Sequence, residues 1–144
     1  MTSVQASIIS FSQSFTLNYD DVAERLVNEK NWESRYRNIM LLGKQLAVMP
    51  VELKTNDALV QGCESHVWFH HSFHNNRLQL AVSSDAKIVK GLISIVLAIF
   101  NNKTQSEIAS INIEHLLDKL NLLEHLSPSR TNGIFAIIEK IKSL

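Results

Sequence analysis

The sequence has one cysteine among its 144 residues, few glycines and prolines, and no excess of either charge. A single cysteine excludes an internal disulfide. Fourteen basic residues balance fourteen acidic ones, so no net field attracts nucleic acid or an anionic membrane. The strongest apolar run, Gly91 to Phe100, is about half of the roughly 20 residues that cross a bilayer. We therefore expect neither nucleic acid nor a membrane as a partner.

The remaining composition is that of an ordinary globular chain, with 45% hydrophobic and 19% charged residues. Residues 1–19 contain no lysine or arginine ahead of their apolar stretch, so they do not resemble a secretory signal. Together with the lone thiol, this predicts a protein of the reducing cytoplasm. Because the same segment is uncharged and rich in serine and threonine, we predict a flexible N-terminal segment at 1–19 and a single domain at 20–144.

Helix signals lie on both sides of a strand-like middle section. Acidic residues and an apolar face predict a short helix from Asp20. Asn31 is placed to cap a second helix, which Pro50 prevents from continuing. Four more helices are predicted after the middle section. Ser84 and Asp85 mark the start of a long central helix, and the capping box "TQSE" (104–107) and the segment "NIEHLLDKL" (112–120) each indicate a short helix. Ser127 with Pro128 marks the start of the last helix.

The middle section changes to short runs rich in β-branched and aromatic residues. These runs cover 58–62, 66–73 and 77–82, and "HNN" between the last two is typical of a hairpin turn. We predict an α+β fold, with N-terminal helices and a small antiparallel three-stranded sheet packed against a central helix and a C-terminal helix.

Cys63 follows Gly62 between two predicted strands, which indicates a turn that lifts the thiol out of the sheet. One interpretation is a small buried hydrophobe without a function. A zinc site is disfavoured, although Cys63 and four histidines fall within twelve residues, because no second pair of ligands follows at the usual spacing. We therefore predict no metal site.

Two chemical interpretations of Cys63 stay open at this point. A hydrolase or redox enzyme would pair the thiol with a histidine base, but no nucleophile signature is present. A sulfur carrier needs only an accessible thiolate that attacks the outer sulfur of a persulfide.

A second feature of the sequence is the start of the last predicted helix. Arg130 lies in its first turn, where the helix dipole disfavours a cation, and Gly133 weakens the helix. Two such local conflicts together indicate a site.

Three motifs resemble one known family. They are "GCESHVW" (62–68), "SDAKIVKGL" (84–92) and "HLSPSRTNG" (125–133), preceded by "NWESRYRNIMLLGKQL" (31–46). In this order and spacing they closely resemble the SufE family of sulfur acceptors. The segment 31–46 looks more like the CsdE branch of that family than like SufE proper. Ala47, Val82 and Ser83 depart from the family pattern, which puts in doubt the turn before the central helix and not the thiol.

The resemblance implies an accessory sulfur-transfer protein rather than an enzyme. Such a protein accepts sulfur from a pyridoxal phosphate-dependent cysteine desulfurase, stimulates it, and passes the sulfur to a downstream acceptor such as an iron–sulfur scaffold. The pyridoxal phosphate belongs to the desulfurase, so no cofactor is implied for this chain. By the motif, Cys63 is the acceptor, which we expect on a mobile loop shielded by Val67 and Trp68.

The resemblance also assigns roles around the acceptor. Arg130 is implied to contact the desulfurase or to stabilise a thiolate, and Gly62, Glu64 and His66 are grouped with it as partner-binding residues. Glu64 and His66 occupy variable positions in the family, so they are expected to tune affinity only. A structural role near the site is implied for three further residues: Asp85, Lys90 and Gly133.

Overall fold

Seven helices and one antiparallel hairpin make up the chain, and the computed structural model describes all 144 residues. Short 3-10 turns connect several of these elements. The helices are α1 (Ser3–Ser14), α2 (Tyr19–Val27), α3 (Trp32–Leu42), α4 (Lys87–Phe100), α5 (Gln105–Ser110), α6 (Ile113–Lys119) and α7 (Pro128–Lys142), and the strands are β1 (Val67–His74) and β2 (Arg77–Ser84).

Side-chain caps begin most of the helices, as the sequence predicts. The side chains of Asn31, Thr104 and Ser127 accept hydrogen bonds from backbone amides of α3, α5 and α7. The start of α4 differs, because its N-cap residue is Ala86, which has no capping side chain. Ser84 Oγ instead accepts from the Ala86 amide at 3.2 Å.

Residues 1–19 are predicted to be flexible, and in the structure residues 3–14 of this segment form α1. Ile8, Phe11 and Phe15 are buried on one stripe that packs over β2. Ser12 Oγ lies 2.7 Å from Gln79 Oε1, which fixes the helix to that strand. The serine-rich, uncharged composition did not indicate this apolar stripe. The surface against which it packs, on β2, forms only when the chain folds.

The sheet has two strands, so the predicted third strand is wrong. The hairpin itself is confirmed: Val67 pairs with Ser84 and His74 with Arg77. Residues 58–62 contribute only an isolated bridge from Leu59 to Trp68. A 3-10 turn ends at residue 58, and a turn at Gly62 follows, so too few extended residues remain for a strand.

The central helix α4 packs against β2 and against α2 and α3, and nearly all of it is buried. It crosses α3 so closely that a methyl group at Gly91 would overlap the Ile39 carbonyl. The helix α4 also contacts α7. None of the seven helices combines the length and the apolar character that a membrane span requires.

Candidate functional site

The loop between the Leu59 bridge and β1, residues 61–66, carries Cys63 to the side of α7. Gly62 has φ = 90°, a left-handed conformation that only glycine adopts without strain. This turn is the reason for the Gly-Cys pair that stands out in the sequence. It leaves the thiol half-buried between the loop and the first turns of α7.

The thiol has one hydrogen-bond acceptor, the carbonyl oxygen of Gly133, at 3.8 Å from Sγ. A Cβ atom at residue 133 would lie 3.3 Å from Sγ, which is tighter than almost all such contacts. The missing side chain of Gly133 therefore makes room for the sulfur. This contact explains a glycine that otherwise weakens the interior of α7.

An apolar cavity of about 80 Å³ opens beside the thiol, between α4 and α7. Its floor consists of aliphatic side chains, among them Val67, Val89, Ile93 and Ile134. The volume exceeds the roughly 10–15 Å³ that one water molecule requires. An additional atom bonded to Cys63 Sγ therefore has space in an apolar environment.

Burial raises the pKa of the Cys63 thiol above its ordinary value. The predicted cationic partner does not counteract this effect here. Arg130 lines the cavity, but its guanidinium carbon lies 5.9 Å from the ring centroid of Tyr36. In this conformation the thiol is protonated at neutral pH, which agrees with its role as a donor to Gly133.

Two exposed contacts hold the part of the loop that follows Cys63. Ser129 Oγ donates to Glu64 Oε1 at 2.7 Å, which joins the loop to α7. His66 Nδ1 lies 3.2 Å from Asp85 Oδ2 just before α4, and these two side chains are 64% and 54% exposed. Exposed polar contacts contribute little free energy. The loop is therefore held in place weakly.

The structure brings most of the sequence-predicted residues together. Arg130 lines the Cys63 cavity, and Glu64 and His66 are loop anchors. Lys90 lies outside that cavity, against Gly43. Val67 shields the thiol as expected, whereas Trp68, the next strand residue, faces Lys54 on the opposite side.

Sequence reasoning missed Ser129 and Tyr36 as neighbours of the site. Ser129 stands beside Arg130 within the "SPSR" motif, so its position is a usable signal. The stacking of Tyr36 with Arg130 joins α3 to α7, and no local pattern indicates such a contact.

Histidine chemistry at Cys63 has no geometric support. None of the six histidines hydrogen-bonds the thiol. His66 is directed to Asp85, and His70 Nε2 lies 2.6 Å from the Leu53 carbonyl oxygen. No three side chains of the His, Cys, Asp or Glu type are grouped as metal ligands.

Comparison with known proteins agrees with the motifs around this loop. The model of the family described as "SufE: Fe-S metabolism associated domain" matches residues 20–144. The chain belongs to the SufE family. The match begins at the end of the N-terminal segment, so α1 lies outside the SufE domain as the family model defines it.

Relatives within the SufE family cover most of the chain. A SufE-like protein of Rhizobium meliloti is 41% identical over 128 residues, 86% of this chain and 91% of its own length. The sulfur acceptor protein CsdE of Escherichia coli is 36% identical over 111 residues, 76% of each chain. A solution structure of a hypothetical protein from Thermus thermophilus shares the fold, with a TM-score of 0.69 at 13% identity over 89% of this chain and 94% of its own.

Proposed function

We propose that this SufE-family protein takes sulfur from the persulfide of a pyridoxal phosphate-dependent cysteine desulfurase onto Cys63. It then passes the sulfur to a second protein, in iron–sulfur cluster assembly or a related transfer. The observation that carries the proposal is a lone, half-buried thiol on a weakly anchored loop beside an apolar cavity. A relative that is named a sulfur acceptor, CsdE, supports the same reaction class.

The transfer exchanges one sulfur bond for another. The Cys63 thiolate attacks the outer sulfur of the desulfurase persulfide, the S–S bond to the desulfurase cysteine breaks, and that cysteine leaves as a thiolate. Cys63 becomes a persulfide, the proton lost from its thiol goes to solvent or a base of the partner, and no external oxidant is required. A single cysteine suffices, and without a second cysteine the product cannot close to an internal disulfide.

The cavity shelters the product after transfer. A persulfide exposed to free thiols would lose its sulfur by the same exchange reaction. The space beside Cys63 Sγ, lined by Val89 and Ile134, accommodates the extra sulfur among aliphatic side chains. The resting loop therefore protects the persulfide until the next partner draws it out.

Attack on the desulfurase requires the loop to leave its resting position. In that position the raised pKa keeps the thiol protonated and unreactive. Release of the Glu64 and His66 contacts frees the loop to enter the partner, where Arg130 at the vacated surface contacts the desulfurase. Removal of sulfur from the desulfurase in this way speeds its next turnover.

Desulfurase turnover tests the proposal. Alanine formation from L-cysteine is measured with a cysteine desulfurase alone, with wild-type chain and with Cys63→Ser. We expect stimulation by wild type only, since serine cannot accept sulfur. Equal stimulation by Cys63→Ser would contradict the proposal. Hydrolysis of small esters by the chain alone, lost in Cys63→Ser, would favour the cysteine hydrolase instead.

A further inference from the structure

A second groove, of about 530 Å³, lies between α3, the start of α4 and the segment that follows α3. Five basic side chains and no carboxylate line it. Its apolar part includes Met40, Leu46 and Val48. The basic residues, here called the groove cations, are Arg37, Lys44, Lys54, Lys87 and Lys90.

The groove cations are unpaired within the chain. No carboxylate oxygen lies within 4.0 Å of any of them, since the three ion pairs of the molecule involve other residues. They are five of fourteen basic residues, so nine remain elsewhere against all fourteen carboxylates. A chain without net charge therefore has one strongly basic groove and an acidic remainder. Lys87 and Lys90 also stand in the first four residues of α4, where the helix dipole disfavours cations.

Apolar side chains are exposed in the same groove. Leu41 is 48% exposed and Val48 is 91% exposed, and both line the groove with the basic residues. Large exposed aliphatic side chains beside unpaired cations are complementary to a surface that presents both carboxylates and apolar groups.

The groove continues to the base of the Cys63 loop. Ser83 and Ser84 line it and pair in the sheet with Trp68 and Val67, the residues that follow the loop. Lys54 Nζ lies 5.2 Å from the centre of the Trp68 ring. A molecule bound in the groove therefore lies beside the point from which the loop swings.

We propose that the groove binds an acidic amphipathic segment of the desulfurase, and so holds that partner while Cys63 enters its active site. The inference rests on the proposed function for the identity of the partner and on the groove itself for its chemistry. Carboxylates of the segment pair with the groove cations, and its apolar side chains cover Leu41 and Val48.

Nucleic acid does not match the same groove. No aromatic side chain lines it, so bases have no stacking surface. Aliphatic side chains line the groove together with the groove cations, whereas binding of a phosphate backbone depends on the cations alone. An acidic peptide satisfies both the charge and the apolar side chains.

Fluorescence anisotropy with a synthetic peptide tests the groove directly. The probe is a labelled amphipathic peptide with glutamates on one helical face and leucines on the other. We expect it to bind wild type more weakly as salt rises, and to lose about tenfold in affinity for Lys44→Gln/Lys87→Gln, which removes two exposed charge contacts. The matched control is Lys30→Gln/Lys119→Gln, two exposed lysines outside the groove, which should bind as wild type does.

Three results would overturn the inference: no binding of the acidic peptide, equal loss of affinity in both double variants, or tighter binding of a DNA oligonucleotide than of the peptide. The same variants are then assayed with a desulfurase. We expect Lys44→Gln/Lys87→Gln to raise the concentration of this protein that gives half-maximal sulfur transfer, with the maximal rate retained. If wild type receives no sulfur while the peptide still binds the groove, the proposed function is wrong and acidic-peptide binding by the groove is retained. If sulfur transfer occurs but the half-maximal concentration is unchanged in the variant, only the role of the groove in holding the desulfurase is wrong.

Discussion

The crossing of α3 and α4 and the loop that carries Cys63 lie within one small domain, yet they are held by opposite means. At the crossing, Ile39 and Leu42 are fully buried, Gly91 brings the two backbones into contact, and Ser94 Oγ donates to the Leu42 carbonyl at 2.8 Å. The loop is held by two exposed polar contacts, one weak thiol hydrogen bond and the half-buried packing of Cys63 against the core. The protein thus combines a tightly packed helix crossing with a weakly anchored loop that carries the thiol.

The largest expected effect is at the crossing. Gly91→Ala should lower the free energy of unfolding by about 3 kcal/mol, because its methyl group overlaps the Ile39 carbonyl and the two helices must move apart. Urea denaturation measures the change. A loss below about 1 kcal/mol would show that the crossing adapts easily and would remove the contrast with the loop.

Gly133→Ala should act on the loop and not on the helix crossing. Its methyl group would lie 3.3 Å from Cys63 Sγ and displace the thiol, whereas alanine favours α7 by about 1 kcal/mol. We expect iodoacetamide to alkylate Cys63 about tenfold faster, equivalent to about 1.4 kcal/mol of loop opening, without a loss of stability. Unchanged alkylation would mean that Gly133 does not confine the thiol.

Removal of one loop anchor should have a smaller effect. Ser129→Ala deletes the donor to Glu64, so alkylation should rise about threefold, as expected for an exposed hydrogen bond. Ser143→Ala is the matched control, since its hydroxyl donates to the Lys140 carbonyl at the other end of α7. Equal rates in the two variants would indicate that this anchor does not hold the loop.

The smallest effect concerns pH. Because burial raises the folded-state pKa of Cys63, its contribution to stability is complete below the unfolded thiol pKa of about 8.5 and is lost as pH rises through the folded value. Above that pH, the free energy of unfolding of wild type should therefore fall relative to that of Cys63→Ser. In the alkylation rate, the midpoint should lie higher in the folded chain than in urea; coincident midpoints would refute the shift.

Local signals predicted much of the fold. The hairpin followed from "HNN", because Asn75 and Asn76 adopt the positive φ values of 53° and 65° that such a turn needs. The caps at Asn31, Thr104 and Ser127 were likewise local. The packing of α1 on β2 was not predictable, because it depends on a surface formed by residues far away in the chain.

The site was predictable in its residues but not in its geometry. Cys63 and Gly133 each stood out locally, one as a lone thiol and the other as a glycine within a helix. The two residues are 70 positions apart in the chain, and neither local sequence feature indicates that they are in contact. The prediction of a third strand was wrong because of a local feature. The turn at Gly62 that presents the thiol also ends the extended segment.

Intact mass after incubation with a cysteine desulfurase and L-cysteine tests the central claim most directly. Wild type should gain one or more sulfur atoms of about 32 Da each, removable by a reductant, and Cys63→Ser should gain none. No added mass on wild type, with Cys63 still free to react with iodoacetamide, would contradict the account.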